Sequence, residues 1–143
     1  MKGNNNMKLI QYAAAYAALL TLDSEQLSAQ DAYNIVRLKR LLAPKAQDFQ
    51  NSEQALIERY GAKLPDGRPD IRGGRLMFAG ADEDEKLYNG RAYDNARREL
   101  CAVEDDEELP RFELHFPADA KITPAALEAL DSVSLVIIDA ATV

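Results

Sequence analysis

Between Ser28 and Gly61 the residues Ile35, Leu38, Leu42, Ala46, Phe49, Leu56 and Tyr60 recur at helical spacing. Arg37, Lys39, Arg40, Lys45, Gln47, Asp48 and Gln50 lie largely off that face, and Glu53 is its one polar step. The pattern predicts a single long amphipathic helix. Ser28 supplies an N-cap with Asp31 three residues on, where the helix dipole favours negative charge. Gly61 suits the C-terminal cap, able to take the left-handed conformation without steric cost. Pro44 opposes the reading, since an interior proline removes one hydrogen bond and crowds a carbonyl at about 3 kcal/mol. The register nevertheless continues from Leu42 to Ala46 and Phe49, which predicts one helix kinked near Pro44 rather than two.

Upstream, Leu9, Ala13, Tyr16 and Leu20 share a face, predicting a first helix over 7–22 with Met1 to Asn6 as a lead-in and Asp23 and Ser24 as breakers. Its alanines allow a neighbouring backbone to come close. Two such helices on a short connector make an antiparallel hairpin. Lys2 and Lys8 before an apolar stretch imitate a signal peptide. The stretch is short of the ~20 apolar residues a bilayer requires, and Leu27-Ser28-Ala29 is a poor cleavage site. The expected location is cytoplasmic, with no membrane partner.

Pro65-Asp66-Gly67, Pro69 and Gly73-Gly74 mark a surface loop, followed by a short strand over 75–79. A third helix is read over 82–103 on Tyr88, Ala92, Ala96, Leu100 and Val103, although Asn89-Gly90 would also allow a start at Arg91. Phe112, Leu114 and Phe116 alternate with Arg111, Glu113 and His115, a half-buried strand. Thr123-Pro124 opens a helix to about Asp131, and Leu135-Val136-Ile137-Ile138 suits a buried strand, parallel or antiparallel to the first. The fold class is therefore α+β: a helical hairpin followed by a small α/β unit with two or three short strands. One domain is expected over 1–143, subdivided at 7–61, 62–81 and 82–143. Hydrophobic residues at 47% exclude wholesale disorder; aromatics at 7%, without Trp, leave the core to aliphatic side chains and alanine.

The formal charge of −7 disfavours direct binding to nucleic acid. One cysteine excludes an internal disulfide and a cysteine zinc site. Cys101 and His115 are the sole thiolate–imidazole candidates, and each reads more simply as a small core thiol and a solvated ring. No glycine-rich nucleotide fingerprint, metal-ligand spacing or cofactor motif occurs, so no catalytic residue, metal or cofactor is assigned. Three weaker features remain. Arg68, Arg72 and Arg75 surround Gly73-Gly74 as a candidate anion loop. Asp82, Glu83, Asp84 and Glu85 with Glu104, Asp105, Asp106, Glu107 and Glu108 form two acidic patches at opposite ends of the third helix, more simply a helix N-terminus and a solvated loop. The long face of Ile35, Leu38, Leu42, Phe49, Leu56 and Tyr60 is a candidate interaction face, which predicts a homo-oligomer.

Ala32-Tyr33-Asn34-Ile35, the Leu-x-x-Leu-Leu run ending at Leu42, and Leu56-Ile57-Glu58-Arg59-Tyr60-Gly61 resemble a family of small proteins of tailed bacteriophages and prophages. Arg98 to Glu104, Phe112 to Phe116 and Leu127-x-x-Leu130 extend the likeness more loosely, to about two-thirds of the chain, while the first helix here is richer in alanine. The resemblance implies an accessory protein of unassigned function and transfers no functional residue. The expectation is a non-enzymatic interaction or assembly protein, a virion component being one form of it. The alternatives are an acidic inhibitor of a host nucleic-acid-binding enzyme and a hydrolase with an unrecognised carboxylate site.

Overall fold

The computed structural model describes residues 7–22 and 27–139. The expected lead-in at Met1 to Asn6 and the breakers Asp23 and Ser24 lie outside them. In chain order the elements are β1 (Met7–Lys8), α1 (Leu9–Leu20), α2 (Ala29–Tyr60), β2 (Ile71–Arg72), β3 (Arg75–Leu76), α3 (Glu83–Cys101), β4 (Glu104–Asp105), β5 (Glu113–Pro117), α4 (Pro124–Asp131) and β6 (Leu135–Asp139). The fold is mixed α/β, with a long second helix followed by short strands in small sheets. Pro44 lies inside α2, which continues for 32 residues. The proline leaves the Arg40 carbonyl without its helical donor. Packing on both sides holds the helix together, because Leu38, Leu42 and Ala46 are all buried.

The chain divides into two compact units: the described residues of Met1–Gln47 with Glu104–Val143, and Asp48–Val103. α2 contributes to both units.

In the first unit one cluster joins Tyr12, Ala15, Ala18 and Leu19 of α1, Ile35, Leu38 and Leu42 of α2, Phe112, Leu114 and Phe116 around β5, and Ala126, Leu130 and Val133 around α4. The face of α1 is rotated from the expected one. Tyr12, Ala15 and Leu19 point inward, while Leu20 is exposed. Ala15, Ala18 and Ala126 are the small buried residues where α1 and α4 run close together. The helix also starts two residues later than expected, because Met7 and Lys8 pair antiparallel with Asp105 and Glu104. The Gln11 side-chain carbonyl accepts from the Lys8 N–H at 2.8 Å and closes the helix start.

β5 alternates as its sequence demands: Phe112, Leu114 and Phe116 are buried, and Arg111, Glu113 and His115 are exposed. β6 runs parallel to it, Glu113 facing Leu135 and His115 facing Ile137. Thr123 caps α4 by accepting from the Ala126 N–H at 3.1 Å. The Arg111 guanidinium donates to the carbonyls of Asp131 (3.0 Å) and Ser134 (2.7 Å), tying the end of α4 to the start of β6.

The second unit is held differently. Gly73 and Gly74, both at positive φ (59° and 77°), make the two-residue turn of the β2–β3 hairpin. Gly61 is not left-handed as expected. Its role is space, because an added Cβ would lie 2.6 Å from the Ile57 carbonyl oxygen and 3.0 Å from a Leu76 methyl. That close approach lets Gly61 bridge Phe78. α3 runs through Asn89-Gly90, and the Asn89 amide donates to the Ala79 carbonyl at 2.7 Å. Phe78 and Tyr93 meet ring to ring at 5.5 Å. The polar step Glu53 accepts from Arg97 at 3.0 Å, which explains why the apolar stripe of α2 breaks there.

Candidate functional site

The densest polar grouping of the first unit is built on Asp31, in the first turn of α2. Ser28 Oγ accepts from the Asp31 N–H (3.1 Å) and donates to Asp31 Oδ2 (2.7 Å). The other oxygen, Oδ1, lies 3.1 Å from both the backbone N and Nδ1 of His115. Asn34, one turn on, donates to the Glu113 carbonyl at 3.3 Å. Burial alone pushes the Asp31 carboxyl up, but the Ser28 hydroxyl and the two His115 groups outweigh it and hold it below its ordinary value. An ionised carboxylate can only accept, so Nδ1 carries the proton. Nε2 stands 3.8 Å from Glu113 Oε2 on a half-exposed ring. The chemistry available is positional: Asp31 and Asn34 occupy the free backbone edge of β5.

A second grouping centres on Lys45. Its ammonium lies 2.6 Å from Asp105, 3.7 Å from Glu107 and 5.2 Å from the centre of the Tyr12 ring. Burial pulls this ammonium down, yet the hydrogen bond and charge of Asp105, with Glu107, hold it above its ordinary value. Asp105 is lowered because its bonds to Lys45 and to the Glu107 N–H outweigh burial. Tyr12 is raised, by burial first and then by the Asp105 charge. Both ends of the pair therefore stay ionised, and a nearly buried salt bridge joins α2 to β4.

These contacts redraw the expected sites. Ile35, Leu38, Leu42 and Phe49 are buried within the chain itself, so most of the long α2 face is core rather than a partner surface; Leu56 and Tyr60 are half-buried. Asp82 and Glu85 form a reciprocal helix cap, Asp82 accepting from the Glu85 N–H (2.9 Å) and Glu85 from the Ala81 N–H (2.9 Å). Glu83 and Asp84 are exposed in the same turn. The second patch is no solvated loop throughout: Glu104 and Asp105 form β4, and Lys45 neutralises Asp105. Of the candidate anion loop, Arg68 binds Asp66 (2.6 Å) and Arg72 binds Asp70 (3.2 Å), while Arg75 faces Arg72 across the hairpin. Two of its three guanidinium groups thus already hold carboxylates. Cys101, at the end of α3, receives an N–H from Arg97 at 3.9 Å.

The sequence alone makes Asp31 a dipole partner and His115 a solvated ring; nothing local to either residue reveals that they meet 84 positions apart. The 135–138 run likewise reads as a buried strand. Leu135 (44%), Ile137 (37%) and Ile138 (48%) are instead exposed, because β5–β6 is a two-stranded sheet and β6 is its edge. In α3 no residue is buried, and Leu87 and Tyr88 are open to solvent, Tyr88 at 73% although it was expected to face inward. With Asp84, Glu85 and Asn89, Tyr88 lines an open depression.

Among the described residues no group of three or more His, Cys, Asp or Glu is arranged to hold a metal. No helix among them is long and apolar enough to cross a membrane. Compared with known proteins, the chain matches no family model, no curated protein and no solved structure.

Proposed function

We propose that this chain is a non-enzymatic accessory protein that acts by binding other protein. The observation that carries the reading is α3: a helix of 19 residues with none buried, presenting Leu87 and Tyr88 to solvent. Adjacent large apolar side chains at that exposure fit a contact surface better than a solvated one. Tyr88 adds a rigid ring with a polar tip, the side-chain type that dominates binding energy in interfaces. The likeness of 28–61 to small phage and prophage proteins supports an accessory role inside a bacterial host, or in a virion.

The test is a photo-reactive residue placed at position 88 in producing cells. The expected result is one adduct of defined mass that Leu87→Ser removes while the melting temperature stays unchanged. No adduct, or one indifferent to Leu87→Ser, would contradict the reading.

A further inference from the structure

We infer that β6 is a homodimer edge, pairing antiparallel with β6 of a second copy to give one four-stranded sheet. This identifies one partner within the protein-binding reading and uses a surface other than α3. The Leu135 N–H donates to the Phe112 carbonyl at 2.9 Å, and the register is parallel. In a parallel ladder alternate residues face the neighbour, so Leu135 and Ile137 bond toward β5. The N–H and C=O groups of Val136 and Ile138 then point away from it. No other strand among the described residues takes them up.

The two edges of this sheet are treated in opposite ways. On β5 the outward Glu113 carbonyl and His115 N–H are engaged by Asn34 and Asp31 of α2. On β6 the run Leu135-Val136-Ile137-Ile138 carries no lysine, proline or other device that blunts an edge. One open edge admits one further strand, and a two-fold partner closes the assembly without leaving an edge for growth.

The strand's own pattern fits a copy of itself. With Ile137 on the two-fold axis, Val136 faces Ile138 of the second copy and the outward groups of both are satisfied. Leu135 then faces position 139 of the second copy, an aspartate. The two-fold therefore sets Ile137 against Ile137 at the centre, flanked on each side by a Val136–Ile138 pair.

Sedimentation of the full chain in the micromolar range, and oxidative cross-linking in a Cys101→Ser background, test this. The expected mass is twice 15.8 kDa. Ile137→Lys, which sets two like charges face to face, should weaken the dimer by about tenfold or more while the circular dichroism is unchanged. Ile138→Pro, which removes one outward N–H, should also weaken it. A non-hydrogen-bonded antiparallel pair spans about 4.5 Å between Cα atoms, within disulfide range. Ile137→Cys should therefore cross-link to a dimer much faster than Leu135→Cys. A monomer throughout the range, a dimer indifferent to Ile137→Lys, or equal cross-linking at 135 and 137 would overturn the proposal. A monomer that still gives the position-88 adduct would leave the protein-binding reading standing and show that β6 accepts no second copy.

Discussion

The two units of this chain stabilise themselves by different means. The first gathers side chains from α1, α2, β5 and α4 into one cluster, with Leu19, Leu38, Leu42, Leu114 and Leu130 fully buried. The second relies on backbone bridges at Gly61 and Lys63, the Phe78–Tyr93 ring pair and the Arg97–Glu53 ion pair, and its helix α3 buries nothing completely. Apolar burial is the dominant favourable contribution to folding, and half-exposed ion pairs add little. The first unit is thus the stability reservoir, whereas the second leaves Leu87 and Tyr88 exposed.

The largest expected effect falls on the first unit. Leu38→Ala and Leu114→Ala should each cost about 2–5 kcal/mol, read as a fall in the denaturant midpoint. Gly61→Ala should cost about 1–3 kcal/mol, because the methyl meets a backbone oxygen that cannot move aside. If the glycine change proved as costly as the leucine changes, the contrast between the units would fail.

Much of this architecture was legible in the sequence. The long helix through Pro44, the strand at Phe112 to Phe116 and the Thr123-Pro124 helix start each carry a local signal of periodicity or capping. What was not legible is set by pairing between distant segments. The rotated face of α1 is decided by α4, more than a hundred residues away, and the alanine-rich segment leaves two faces nearly equal in hydrophobicity. The exposure of β6 depends on how many strands join the sheet, which a continuous apolar run does not encode. Asp31 and Asp105 look like ordinary acidic residues until His115 and Lys45 are placed against them.

The acidic groupings predict the next effect. Asp31 and Asp105 both titrate lower in the folded chain than in the unfolded one, so the unfolded chain binds more protons in acid. Their contribution is present above the ordinary carboxyl value of about 4 and is lost as pH falls through their lower folded values. Lys45, raised when folded, contributes below about 10.5 and is lost as pH rises through its folded value. Asp105→Asn and Asp31→Asn should each flatten the acid limb of a stability–pH profile; an unchanged limb would show that neither carboxylate is coupled to folding. The smallest effect belongs to the second unit, where Arg97→Ala should cost no more than about 1 kcal/mol, given the partial exposure of its pair with Glu53.

Native-state hydrogen exchange, resolved by residue, addresses the contrast most directly. Core amides open only with global unfolding, whereas thinly packed segments open locally at lower free energy. Amides of β5 and α4 should exchange at the global unfolding free energy and follow denaturant with its full slope. Amides in the middle of α3, at Ala92 and Ala96, should exchange faster, with a shallow denaturant dependence. Equal protection and equal slopes in α3 and β5 would contradict the account, because one cooperative core would then hold both units.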